Sequence, residues 1–121
     1  MIDSPLLASL LSELRNRRRE LHALGHIPQD IVARFQEIGV YRALVPEQFG
    51  GTGTSPAQFL RLIETISAAD GSAGWVASFG FATKYLSSLP AETLAEFYAD
   101  GPDMVFAGAV FPPQPAIAEN D

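Results

Sequence analysis

The sequence has 121 residues, 47% of them hydrophobic and 18% charged, with a formal net charge of −6. That length holds one compact domain with a modest core, and the acidic balance argues against nucleic acid as a partner, which needs a basic footprint. Few charges for a free-standing domain point to apolar surface meant for another domain or subunit, and the absence of cysteine removes disulfides and thiolate metal sites. The opening MIDSPLLASLL has no basic leader, and no segment reaches the ~18–20 apolar residues that span a bilayer. The expectation is a soluble, cytoplasmic protein with no membrane partner.

A first helix is predicted over residues 5–24. Leu6, Leu7, Leu10, Leu11, Leu14, Leu21 and Leu24 recur at helical steps. Ser4 is placed to cap it, with Pro5 at a first position where a missing N–H is harmless. Four of the eight basic residues fall in Arg15-Asn16-Arg17-Arg18-Arg19; flanked by Glu13 and Glu20, this run reads as a solvated helix face. Gly25 ends the helix. Pro28 opens a second, with Ile31, Phe35 and Ile38 inward and Gly39 as its stop. Pro46, Gly50, Gly51 and Gly53 then enforce a structured loop anchored by Val40, Leu44, Val45 and Phe49.

Ser55-Pro56-Ala57-Gln58 is the clearest helix start, a capping box with Pro at the first position. The inward face is Phe59, Leu62, Ile63 and Ile66, ending near Ala69. Asp70 or Ser72 caps the next helix, predicted over about 72–88 and antiparallel to its predecessor. It contains the least charged stretch of the chain: thirteen residues between Asp70 and Lys84 carry no charge and mix aromatics with Gly, Ala and Ser. A helix apolar on all sides is buried on all sides. Either it is a central core helix, or one side packs while the other walls a cavity lined by Trp75, Phe79 and Thr83. A short helix over 91–99 follows Pro90, with Leu94, Phe97 and Tyr98 inward, and Asp100-Gly101-Pro102 stops it. Residues 104–111 read as a single strand without a partner, which is unstable alone.

Catalytic groups are sparse. His22 and His26 stand four apart, but no third metal ligand is evident and Gly25 falls at the helix end. Gly50-Gly51-Thr52-Gly53 follows no strand and lacks the Lys-Ser/Thr ending of a phosphate loop; it reads as a turn. No nucleophile triad or carboxylate pair emerges from the spacing.

The order of an amphipathic helix, GVYRALVPEQFGGTG, a capped helix, SAADGSAGWVASFG and FAGAVFPP resembles the N-terminal helical domain of acyl-CoA dehydrogenase-like flavoproteins over about residues 5–112. Gly39, Pro46, Phe49, Gly50, Gly51 and Gly53 match the family's linking phrase. Asp70 to Val76 is most similar to its flavin-dependent hydroxylase branch. The resemblance implies an all-α helical bundle over 1–103, with 104–121 leading by one strand into a β-domain this chain lacks. It further implies a flavin at the junction of domains and a tetrameric assembly in the whole protein. Where dehydrogenases carry Thr-Glu-Pro, this sequence has Val110-Phe111-Pro112. Where the hydroxylase branch carries a His and a Ser, it has Thr83 and Ala107 to Ala109.

The main expectation is an FAD-dependent oxidoreductase that removes a proton and a hydride from adjacent carbons of an acyl thioester, with acyl-CoA as substrate. This domain would wall the cavity through Trp75, Phe79 and Thr83, meet the flavin edge through Val110 and Phe111, and carry no general base. The first alternative is the oxygenase component of a two-component monooxygenase for aromatic or polycyclic substrates, using reduced FAD or reduced FMN from a partner reductase. The second is a non-catalytic helical interaction module.

Overall fold

The computed structural model describes residues 3–106, 108 and 111–119. The helix expected over 5–24 forms as two pieces, α1 (Pro5–Asn16) and α2 (Arg18–Leu24). Ser4 caps the first, its Oγ accepting from the Leu6 N–H at 3.2 Å. At Arg17 the backbone leaves the helical region (φ −95°, ψ 8°), yet the Arg17 N–H still reaches Glu13 O and the Leu21 N–H reaches Arg17 O. The axis is therefore re-aimed with little loss of hydrogen bonding. Arg17 holds this joint from three directions, pairing with Glu13 at 2.9 Å, Glu20 at 2.7 Å and Asp30. Of the leucine stripe, Leu7, Leu10, Leu14 and Leu21 are buried, whereas Leu6 in the first turn of α1 and Leu24 at the end of α2 face outward.

Helix α3 (Gln29–Ile38) buries Ile31 and Phe35 and stops at Gly39, whose φ of 88° suits glycine. The following loop is a core element. Val40, Tyr41, Ala43, Leu44 and Val45 are all buried, and the chain returns across them in a short 3-10 turn, Glu47–Phe49. Backbone N–H groups of Thr52, Gly53 and Thr54 then bond the carbonyls of Arg42, Val45 and Ala43. Gly51 is enforced by contact: a Cβ there would lie 1.9 Å from Val45 O.

Helix α4 (Pro56–Ala69) opens with the expected capping box, Gln58 N–H donating to Ser55 Oγ and Ser55 N–H to Gln58 Oε1. It buries Phe59, Leu62, Ile66 and Ala69. The helix expected over 72–88 is a single helical run in three parts: α5 (Gly71–Ser78), a tighter 3-10 stretch (Phe79–Ala82) and α6 (Thr83–Leu86). Asp70 caps α5, its Oδ1 accepting from the Ala73 N–H at 2.8 Å. Helices α4 and α5 share the most extensive contact in the chain. A Cβ on Gly74 would strike Ser67, and one on Gly80 would press on Phe59 and Val40 O. Contacts at Ser67–Gly74 and Phe59–Gly80 lie symmetrically about Asp70, so the two helices run antiparallel.

Helix α7 (Ala91–Phe97) belongs to a second, smaller core of Val45, Leu94 and Tyr98, with Phe49 and Phe106 packed against it. Phe49 stacks on Tyr98 with ring centres 5.5 Å apart. An Arg42–Asp103 pair at 2.5 Å ties the segment after α7 to the loop.

No strand forms among the described residues; Met104, Val105 and Phe106 take irregular backbone where the strand was expected. A strand needs a neighbour for its ladder, and the described residues offer none; residues 107, 109 and 110 of the expected strand lie outside them. The architecture is all-α.

Candidate functional site

The uncharged run from 71 to 83 meets the core along one side only. Ala73, Gly74, Ala77 and Gly80 face α4 and are buried. The small residues therefore form the packed side, Trp75 and Phe79 stand on the other, and Phe81 turns back to pack on the core beside Phe59. Trp75 is 70% exposed and Phe79 41% exposed, meeting edge to face with ring centres 6.0 Å apart. Phe81 and Tyr85 form a separate edge-to-face pair at 6.1 Å. An exposed indole is rare for its area and marks a surface built to be covered.

The three candidate wall residues do not share one cavity. Trp75 lines a groove of about 840 Å³ between α2, the α2–α3 turn and the start of α5. Its floor is Leu21, Ile27 and Val76, and its rim carries Arg18, Arg19, His22, His26 and Asp70. Thr83 is only 4% exposed and lines a separate hollow of about 270 Å³ beside Leu44, Phe49, Leu94 and Tyr98. Its hydroxyl donates locally to Gly80 O at 3.3 Å. Phe79 lies on the ridge outside both hollows. The tightened 3-10 turn separates them: it rotates Thr83 inward relative to Trp75, which a uniform helix would have kept nearer to one face.

Of the two candidate flavin-edge residues, Phe111 is 86% exposed, and Val110 lies outside the described residues. No group of three or more metal-ligating side chains occurs among the described residues, and the His26 ring nitrogen Nδ1 instead lies 3.0 Å from Leu24 O. No helix among them is long and apolar enough to cross a membrane.

Charge pairing is uneven along the arginine run beside the groove. The carboxylates nearest the arginine run are already engaged: Glu13 and Glu20 pair with Arg17, and Glu13 also faces Arg34. Hydrogen bonds from Arg17 hold the Glu20 and Asp30 carboxyls below the usual carboxylate range. Arg18 and Arg19 have no carboxylate partner among the described residues, although Arg18 donates to Ala69 O at 2.8 Å. Arg15, Arg18 and Arg19 are exposed, as a solvated face requires, and the structure adds how the flanking acids are shared. The signal available in the sequence was that two acids flank four arginines, so not all can be neutralised locally. Elsewhere, burial pushes the Tyr41 hydroxyl up to about 12, consistent with a purely structural residue.

Comparison with known proteins gives this surface a context. The chain is 57% identical over 112 residues to an indole-3-acetate monooxygenase of Acinetobacter baumannii, covering 91% of this chain and 29% of that protein. It is 43% identical over 72 residues to a flavin-dependent monooxygenase, oxygenase subunit HsaA, of Rhodococcus jostii, covering 60% of this chain and 19% of that protein. The crystal structure of 3-HSA hydroxylase from Rhodococcus sp. RHA1 superposes with a TM-score of 0.76 at 34% identity, covering 83% of this chain and 26% of that one. The chain thus spans under a third of each relative. These likenesses overturn the expectation of acyl-thioester dehydrogenation, because the relatives are oxygenases and hydroxylases. The dehydrogenase and hydroxylase branches share helices and linking loop, so the resemblance in those parts could not separate them. The family described as "Acyl-CoA dehydrogenase, N-terminal domain" matches residues 8–97, and the chain belongs to that family.

Proposed function

We propose that this chain is the N-terminal helical domain of a flavin-dependent monooxygenase, the oxygenase component of a two-component system acting on an aromatic substrate of the indole-3-acetate type. The observation that carries this reading is 57% identity over 91% of the chain to an indole-3-acetate monooxygenase. An oxidoreductase role, reduced flavin as cofactor (FAD, with FMN as the alternative) and a reductase that delivers it all follow from the same reading. So do a homo-oligomeric whole protein and a β-domain entered through residues 104–121.

The chain's own surface suits such a role. A flavin ring system needs a flat apolar wall as well as hydrogen-bonding groups. The Trp75–Phe79 ridge provides exposed, mutually braced aromatic faces. Thr83 is buried and bonded to Gly80 O, so it contributes shape rather than a free hydroxyl. Reduced flavin, when bound, supplies the electrons that activate oxygen. The domain's part is to wall one side, exclude water and hold an aromatic substrate against Trp75 and Phe79. General acid–base groups would come from elsewhere in the whole protein, as the ridge carries none.

The test uses the full-length protein given reduced FAD and oxygen. Indole-3-acetate should increase oxygen incorporation, read as one added oxygen atom in the product by mass spectrometry. If substrate-dependent incorporation is absent with both reduced FAD and reduced FMN, the reading is wrong.

A further inference from the structure

Within the oxygenase reading, on which this assignment rests, we infer that the groove beside Trp75 is the recognition site for the carboxylate of an aromatic acid, with Arg19 as its principal cationic partner. The volume of about 840 Å³ falls within the ~300–1,000 Å³ of small-molecule sites. Two ligand features are matched at once. Trp75, exposed on the groove, offers a face for stacking an aromatic ring above Leu21, Ile27 and Val76. On the rim, Arg18 and Arg19 offer planar donor forks suited to a carboxylate.

The acids that flank these arginines in the sequence are already engaged. Glu13 and Glu20 are bound by Arg17. Asp70 is the one carboxylate on the rim, its Oδ1 accepting from the Ala73 N–H at the start of α5. In a chain of net charge −6, two guanidinium groups without an ion-pair partner among the described residues outnumber the single rim carboxylate, Asp70, and leave this groove with an excess of positive charge. Arg18 also spans to Ala69 O, so it braces the α4–α5 turn while presenting charge. Arg19 makes no hydrogen bond or ion pair among the described residues and is free to close on the ligand. His22 and His26 complete the rim. A partner of the same aromatic shape without the negative charge would leave this rim unsatisfied.

The experiment is calorimetric titration of the full-length protein with indole-3-acetate and with indole-3-acetamide, its uncharged counterpart, in the wild type and in Arg19→Gln and Trp75→Leu variants. Arg19 is exposed and unpaired, so its substitution leaves folding intact. The acid should bind about tenfold or more tightly than the amide, as a charge-assisted hydrogen bond implies. Arg19→Gln should collapse that ratio toward unity, whereas Trp75→Leu should weaken both ligands alike. Equal affinity for acid and amide in the wild type, or a preference that survives Arg19→Gln, overturns the site. Failure of the oxygenase reading looks different: oxygen incorporation would be absent with every aromatic tried, acid or amide. A protein that oxygenates an aromatic substrate but binds the acid and the amide equally keeps the oxygenase reading and loses the carboxylate site.

Discussion

Gly74 has two opposing roles, and replacing it with Ala separates them. In a helix interior, Gly is less favourable than Ala by ~1 kcal/mol, so by local propensity the substitution stabilises. The fold reverses the sign. A Cβ at this position would lie 2.0 Å from Ser67 Oγ and 2.7 Å from both Ser67 Cα and Cβ. The hydroxyl could rotate away, but Cα cannot move without parting α4 from α5, the most extensive helix contact of the chain. Overpacking that displaces backbone costs ~1–3 kcal/mol, with this site at the upper end, leaving a net loss of ~2 kcal/mol after the propensity gain. For a domain with a urea m-value of ~1–3 kcal/mol/M, the midpoint should fall by roughly 1 M. Urea unfolding of the chain followed by circular dichroism measures this. Gly71→Ala is the matched control, since nothing lies within 4 Å of a Cβ there. If Gly74→Ala unfolds at the same or higher urea than Gly71→Ala, close helix approach is not what requires the glycine.

Three further outcomes follow from the same structure. Asp70→Ala removes the cap on α5 and should cost ~1 kcal/mol, read as a lower urea midpoint that Asp70→Asn largely restores. Glu20 and Asp30 are held below the ordinary carboxylate range by Arg17, so their contribution is present above the unfolded-state value of ~4 and fades as pH falls through the folded values. Between about pH 7 and about pH 3, Arg17→Gln should therefore lose less stability than the wild type; an equal loss in both would remove Arg17 as the cause. Trp75→Leu acts on an exposed side chain and should shift stability by no more than ~0.5 kcal/mol, while, under the proposed monooxygenase reading, kcat/KM of the full-length protein for indole-3-acetate falls. A large loss of stability would show instead that Trp75 is a core residue.

Much of the helical framework was legible in the residues. Ser4-Pro5, Ser55-Pro56-Ala57-Gln58 and Gly39 act through neighbours a few positions away, so their hydrogen bonds and backbone angles form where local chemistry demands. The burial of Val40, Leu44 and Val45 was legible for a related reason: apolar side chains inside a Pro- and Gly-punctuated loop have little use except as anchors. The bend at Arg17 was not legible, because it depends on Asp30 arriving from a different helix. Nor was the strand's absence over Met104–Phe106, since sequence periodicity reports a preference for extended backbone while pairing requires a second strand in space.

The candidate site divides along the same line. Local sequence determined that 71–83 would be an uncharged helical run of extreme side-chain sizes, and that it would begin at Asp70. Which of those residues turn inward was decided by the tertiary contacts. Gly74 against Ser67 and Gly80 against Phe59 lock the small face onto α4 and leave Trp75 and Phe79 outside. The 3-10 turn between them and Thr83 sends that side chain to a different hollow. Likewise the sequence shows four arginines clustered near two acids, but only the packing of α3 against α1 brings up Asp30 and assigns Arg17 to the acids. Arg18 and Arg19 are left facing Trp75 because charge pairing is settled by distance in three dimensions, and sequence spacing constrains distance only within a helical turn or two.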